Sequence, residues 1–323
     1  MNRRILGRTG LAVSEIGFGG WAIGGNGFGN SYGPTDDAES RRAVRRAYDL
    51  GCTFFDTADV YGHGHSEEVL GEALADVRSK VVLATKVGGN FYNRDVHSLL
   101  RDRIAEKTGM AFDQIPADAP LPVTHDSTFT ADYIRFALEQ SLRRLKTDYV
   151  DLLQLHNPAL PLIASMDTYG VLEDLKKEGK IRAYGVSIHP AEEGLAAIEA
   201  TMPDTIQVVY NIARREPEDG LLAAARAANV GIIAREPLAN GFLAGAYGAD
   251  ATWEAGDIRA RMPRPYVAKM TTLGARVRDL AAQARLTPAQ LALRFVLDNP
   301  DVGVVIVGMK TAQQVDDNFA LEQ

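Results

Sequence analysis

Eight short apolar runs, at residues 13–19, 53–56, 81–86, 150–156, 183–187, 205–210, 231–235 and 302–307, punctuate this chain, and longer amphipathic stretches lie between them. The runs are apolar nearly throughout rather than alternating, which predicts strands buried on both faces of a parallel sheet. Residues 36–50 carry apolar positions at helical spacing and stop at Gly51, and residues 167–178 stop at Gly179; a glycine just past the last turn is a normal helix end. On 132–145, Ile134, Ala137, Leu138, Ser141, Leu142 and Leu145 share one face. Pro217 opens a helix read over 217–229, and Thr287-Pro288 caps one running to 298. Eight strand–helix units in about 300 residues match the (β/α)8, or TIM, barrel, read here as a single domain over 1–323.

The competing architecture is an open doubly wound sheet, which wants a glycine-rich turn leading from the first strand straight into a helix. Gly17-Phe18-Gly19-Gly20-Trp21-Ala22 spells that fingerprint loosely, but the residues after it, Ile23-Gly24-Gly25-Asn26-Gly27-Phe28-Gly29-Asn30, have no helical character. The fingerprint fails on context and the barrel is preferred. Two connections, 87–130 and 236–272, exceed the ~12–15 residues of an ordinary loop. They follow the third and seventh strands, so both are expected at the C-terminal mouth, where barrels carry their sites; the first is expected to hold a short helix over 101–108. Residues 1–12, turning at Thr9-Gly10, read as a β-hairpin that plugs the opposite end of the barrel.

Net charge is −7, from 35 Lys+Arg against 42 Asp+Glu, so there is no global basic footprint for nucleic acid. A single cysteine, Cys52, excludes an intrachain disulfide and fits a reducing compartment. No apolar run approaches the ~18 residues of a membrane span. Met1-Asn2-Arg3-Arg4 resembles a basic leader, yet Gly7, Arg8, Thr9 and Gly10 interrupt any apolar stretch behind it. A cytoplasmic location is therefore expected.

The ends of the second, third and fourth predicted strands deliver Asp56, Lys86 and His156 to one rim, and Tyr61 follows in the loop Asp59-Val60-Tyr61-Gly62. Lys86 closes the apolar run Val81-Val82-Leu83-Ala84-Thr85, where an ammonium is costly to bury without a partner. Asp56 on the neighbouring strand is the expected partner. A phenol has a reference pKa of ~10, and a nearby ammonium favours its ionised form. An activated tyrosine beside an imidazole is a general acid suited to a reaction in which negative charge grows on a carbonyl oxygen. Hydride addition to an aldehyde or ketone is such a reaction, and since no side chain supplies hydride a nicotinamide cofactor is implied.

Asp56-Thr57-Ala58-Asp59-Val60-Tyr61-Gly62, Ala84-Thr85-Lys86 and Leu153-Gln154-Leu155-His156-Asn157 resemble the catalytic motifs of the aldo-keto reductase superfamily. The opening Leu6-Gly7-Arg8-Thr9-Gly10-Leu11-Ala12-Val13-Ser14 resembles its bacterial branch related to potassium-channel β subunits. Together they cover the chain from about residue 4 to 320. The resemblance implies a barrel, a tetrad of Asp56, Tyr61, Lys86 and His156, and reversible carbonyl reduction with NADP(H) or, less often, NAD(H). It also implies a cofactor track. Ser187 and Gln207 would hold the nicotinamide carboxamide, with Trp21 and Asp56 nearby. Arg235 stands where the family usually stacks an aromatic ring, and Ile188 where it usually has Asn or Arg. Pro237, Leu238 and Gly241 would run over the pyrophosphate. Gly308, Lys310, Gln314 and Asn318 would hold the adenosine, with Lys310, and Arg259 or Arg261, facing a 2′-phosphate.

Three alternatives stay open on the sequence. His63-Gly64-His65 near Asp59 spells a metal-ligand pair, but lies in a glycine-rich stretch without further acidic ligands in evidence, so no metal is expected. A non-catalytic, cofactor-binding regulatory subunit would fit the channel-subunit resemblance, though a partner-binding tail is not apparent. An NAD-dependent sugar or alcohol dehydrogenase of the same fold is the third. The substrate is expected to be a small carbonyl or alcohol in a pocket walled by Trp21, Phe91 and Tyr92, and a homo-oligomer is compatible with the sequence.

Overall fold

Arg3–Ile5 (β1) and Ala12–Ser14 (β2) pair antiparallel as a hairpin, and the eight strands that follow close into a parallel barrel. These are β3 (Ile16–Gly19), β4 (Phe54–Asp56), β5 (Val82–Val87), β6 (Val150–His156), β7 (Ile181–Ser187), β8 (Thr205–Val209), β9 (Gly231–Arg235) and β10 (Val302–Gly308), with β10 paired to both β9 and β3. The computed structural model describes residues 1–25, 31–89, 128–248, 250–254 and 256–322. The expected helix at 101–108, together with Phe91 and Tyr92, lies outside them.

Three boundaries differ from the sequence reading, each for a local reason. The run 13–19 is two strands, divided at Glu15, whose carboxylate pairs with Arg4 at 2.5 Å while Ser14 Oγ donates to the Ile16 carbonyl at 2.7 Å. The helix expected over 217–229 is a short 3-10 turn, Glu216–Glu218, then a helix confined to Leu221–Ala227; Gly220 between them has φ 127° and interrupts the helical path. The long connection after β9 is shorter than read, because the helix Arg264–Ala284 already begins inside 236–272, with proline in its first turn. Elsewhere the punctuation holds. Asp36 caps Asp37–Asp49 by accepting from the Glu39 amide, and Thr287 and Gln290 form a capping box on Pro288–Leu297.

Side chains alternate between the barrel interior and the helix-covered outside, so every second strand residue enters the interior. At the N-terminal end those residues are apolar. Phe54, Val82, Ala84, Leu152, Ala183, Ile233, Val304 and Ile306 form one cluster with Leu6, Leu11 and Val13 of the hairpin segment. The hairpin is thus the plug: a Cβ on Gly231 or Gly303 would come within 2.9 or 2.7 Å of the Leu6 side chain. One step toward the C-terminal end the interior turns polar, with Asp56, Lys86, Gln154 and Gln207 all buried. Gly185 of β7 lies in the same layer, where an added Cβ would fall 2.1 Å from Thr205 Oγ1. The apolar plug below and the polar layer above set the floor of the site.

Candidate active site

Lys86 Nζ is the hub of the polar layer. It donates to Asp56 Oδ2 at 2.6 Å, to the Thr57 carbonyl at 2.8 Å and to the Tyr61 hydroxyl at 3.1 Å. Three acceptors match the three protons of an ammonium. Burial works against the Lys86 charge, but Asp56 and Tyr61 overrule it and hold the ammonium above the ordinary lysine range. Tyr61 departs from the sequence expectation: burial pushes its phenol above the ordinary value, and Lys86 pulls down against that without prevailing. Desolvation of a phenolate inside the barrel outweighs one neighbouring cation that Asp56 already neutralises. His156 stands edge-on to Tyr61, ring centroids 5.8 Å apart at 81°. Burial, with Lys86, Arg235 and His189 adding to it, lowers its pKa well below the ordinary imidazole value, so it is neutral.

Four residues predicted to act together are therefore brought together. The turn that delivers Tyr61 is tight: Gly62 has φ 61°, and a Cβ there would lie 1.9 Å from the Gly24 carbonyl oxygen, so glycine is needed at that point. Trp21 sits between two rings, stacked on Tyr61 at 5.7 Å and on Tyr32 at 5.6 Å.

A cavity of about 610 Å³ runs from Tyr61, Asp56 and Gln207 past Arg235, Pro237, Leu238 and Gly241 to Gly308, Lys310, Gln314 and Asn318. Trp21 lines it as well, so it carries every residue expected along the cofactor track except Ser187, which lies beside Gln207 in strand register. Ser187 Oγ and Gln207 Oε1 are buried and have no hydrogen-bond partner. A hydroxyl able to donate and an amide oxygen able to accept are the complement of a primary carboxamide, so these orphaned atoms fit the nicotinamide end of a dinucleotide. Gly241, at φ 88°, lets the backbone turn tightly where a pyrophosphate would pass.

Several roles differ in detail from expectation. Arg235 reaches the cavity, yet its guanidinium is engaged: it donates to Glu236 at 2.9 Å, to the Ile188 carbonyl at 3.0 Å and lies 3.1 Å from His189 Nδ1. Lys310 Nζ donates to the carbonyls of Tyr32 at 2.7 Å and Pro34 at 3.1 Å, tethering that segment. Arg259 is paired with Asp257 and packs over the rings of Tyr32, Tyr247 and Trp253; it fastens the Tyr32 segment to the loop after β9, and Tyr32 itself donates to Asn240 Oδ1 at 2.7 Å. His65 sits 2.9 Å from Asp37 and 3.4 Å from Glu68 at the start of helix His65–Leu74, and no group of three or more His, Cys, Asp or Glu among the described residues is arranged to hold a metal. No helix among the described residues is long and apolar enough to cross a membrane.

The sequence reading passed over Gln154. Its amide donates to Asp56 Oδ1 at 3.2 Å, beside Gln207 at 2.8 Å. Its signal was weak, because the same strand also carries Asp151 and His156 and a further polar residue there does not stand out.

Comparison with known proteins agrees with this geometry. The profile of the Aldo/keto reductase family matches residues 15–323. Aldo-keto reductase YhdN of Bacillus subtilis is 32% identical over 316 residues, covering 95% of this chain and 85% of its own. The NADH-specific methylglyoxal reductase of Escherichia coli is 29% identical, covering 99% and 93%. Among solved structures, the holo form of aldo-keto reductase AKR11C1 from Bacillus halodurans superposes with a TM-score of 0.75 at 26% identity, covering 100% of this chain and 91% of that one.

Proposed function

Because the chain belongs to the aldo/keto reductase family and is an NAD(P)-dependent oxidoreductase, we propose that it reduces a small aldehyde or ketone to the alcohol, reversibly, with Tyr61 as general acid. The observation that carries this reading is the chain of contacts from Asp56 through Lys86 to the Tyr61 hydroxyl, at 2.6 and 3.1 Å, at one end of a dinucleotide-sized cavity. When bound, the nicotinamide supplies hydride to the carbonyl carbon.

The protein's own groups do the rest. Tyr61 holds the carbonyl oxygen and gives it the phenolic proton as negative charge develops there. Lys86 stabilises the phenolate left behind, and Asp56 keeps the ammonium charged and aimed. Neutral His156 offers a ring N–H to the same oxygen and fixes the carbonyl's direction. Ser187 and Gln207 take the carboxamide, and the Trp21 ring walls off water on the substrate side.

We assign NADP(H) as the cofactor. The E. coli relative is NADH-specific by name, so the choice falls to this chain's own residues at the adenosine end. Lys310 and Arg259 both line that end; Arg259 is paired with Asp257, while burial and Arg259 pull the Lys310 ammonium below the ordinary lysine range. A phosphate that replaced its neutral carbonyl partners would give the ammonium a full opposite charge as well as hydrogen-bond acceptors. Asp317 lines the same end and opposes a phosphate, so Lys310 decides.

The test is steady-state oxidation of NADPH and NADH against a panel of aldehydes, ketones and alcohols. Carbonyl-dependent turnover that favours NADPH is expected. Tight dinucleotide binding without turnover of any carbonyl or alcohol would make the chain a cofactor-binding regulator instead.

A further inference from the structure

We propose that Gln154 is a positioning residue that serves both halves of the site: it shares the charge of Asp56, and it fixes the orientation of Gln207. The inference rests on the reading of Tyr61 as the acid and extends it by one layer. Gln154 is fully buried on β6, level with Lys86 of β5 in strand register. Gln154 Nε2 donates to Asp56 Oδ1 at 3.2 Å, Gln207 Nε2 donates to the same oxygen at 2.8 Å, and Gln207 Nε2 also donates to Gln154 Oε1 at 3.2 Å.

A carboxylate only accepts, so both amides must turn nitrogen toward Asp56. That requirement orients Gln154, whose oxygen then meets the second proton of Gln207 Nε2. With both protons of its nitrogen engaged, Gln207 keeps Oε1 as the unpartnered acceptor on a residue that lines the cavity. Without Gln154 the Gln207 amide has one anchor instead of two and is free to turn about it.

The second consequence is electrostatic. Asp56 raises the pKa of Tyr61 while Lys86 lowers it. Two N–H donors on Asp56 Oδ1 disperse its negative charge, so more of the Lys86 field reaches the phenol. Removing one donor concentrates charge on Asp56 and raises the Tyr61 pKa further.

Gln154→Met keeps the volume and removes both polar atoms. The variant is compared with wild type by NADPH fluorescence titration and by the pH dependence of kcat for carbonyl reduction and alcohol oxidation. The expected result is a roughly tenfold weaker Kd for NADPH and an upward move of the alkaline limb by about half a pH unit, with alcohol oxidation at neutral pH falling more than carbonyl reduction. A merely structural loss would lower activity at every pH alike and leave the limb in place, and that result overturns the proposal. So does an unchanged Kd together with an unchanged limb. Should melting show Gln154→Met unfolded, Gln154→Asn, one methylene too short to reach Asp56, carries the same readouts. Wild-type protein that binds NADPH but turns over no substrate defeats the catalytic reading instead; the titration alone then decides whether Gln154 orients Gln207, an unchanged Kd overturning it.

Discussion

Lys86 Nζ and Asp56 Oδ2 lie 2.6 Å apart with side chains 0% and 1% exposed. An ion pair this deep gains little over an apolar pair of the same shape, but breaking it by halves is expensive, because one charge stays behind in low dielectric. Lys86→Met therefore lowers stability by roughly 3–5 kcal/mol. The residual hydrogen bonds from Gln154 and Gln207 to Asp56 place the loss toward the lower end. Adding Asp56→Asn to that variant restores most of the stability and none of the activity. Chemical denaturation of the two single variants and the double closes the cycle; strictly additive losses would show that the pair is not coupled.

With Tyr61 as the proposed acid, the pH dependence of the reaction follows its titration. Its folded pKa is above the ordinary phenol value because burial dominates, so the phenol stays protonated through the neutral range. Carbonyl reduction, which needs the protonated acid, shows no Tyr61-linked loss between about pH 6 and 9 and falls only as pH rises through that raised pKa. Alcohol oxidation needs the phenolate and climbs with pH over the same range. Tyr61→Phe removes both dependences and lowers reduction by ~10²–10⁴, while NADPH affinity measured by fluorescence stays near wild type. Near-normal turnover in that variant assigns the proton to another group.

Much of this was legible in the sequence because barrel geometry converts position into placement. A residue at the C-terminal end of a buried parallel strand must reach the mouth, so Asp56, Lys86 and His156 could be put on one rim without coordinates. Tyr61 followed from its place in the loop after β4, whereas the need for glycine at 62 came only from the close approach of Gly24. What the sequence reading lacked was the interior register: Gln154 looks like any polar residue until it is seen level with Lys86. The sign of the Tyr61 shift was also out of reach. It depends on how much water the fold removes, and a list of neighbours carries no measure of desolvation. For the same reason Lys310 and Arg259 read as phosphate ligands, when both also fasten the Tyr32 segment across the cavity.

Asp59 is a second buried carboxyl, outside the tetrad although within the same motif. Burial, reinforced by Glu67 and opposed by Arg144, pushes its pKa up to about 7, and its Oδ1 has no partner. An acid with a raised folded pKa binds its proton longer in the folded state than in the unfolded one. The Asp59 contribution to stability is therefore most favourable below about pH 4, falls as pH rises from there to about 7, and stays low above. The full cost, some three pKa units, is about 4 kcal/mol. Asp59→Asn removes the titration, so its advantage over wild type is near zero at pH 4 and grows to as much as about 4 kcal/mol at pH 8. Melting curves across that range read it directly, and an advantage independent of pH would point to packing rather than to the charge.

On the proposed NADP(H) reading, Lys310 is the residue on which the choice of dinucleotide turns. Its ammonium holds the Tyr32 and Pro34 carbonyls, and its backbone amide donates to Gln314 Oε1 at 2.7 Å, so one residue ties the cavity-lining helix start to the segment crossing above it. Removing the side chain does two separable things. It deletes the cation facing a 2′-phosphate, which affects only NADPH, and it loosens the Tyr32 segment, which affects both cofactors. Lys310→Ala is expected to weaken NADPH by roughly ten- to a hundredfold, the worth of a charge-assisted contact of about 1.5–3 kcal/mol, and NADH by a few-fold at most. Raising the salt concentration narrows the wild-type preference toward the variant's, because the contact is between full charges near solvent. Equal losses for the two cofactors, insensitive to salt, would leave Lys310 as a tether only and return the assignment to NAD(H).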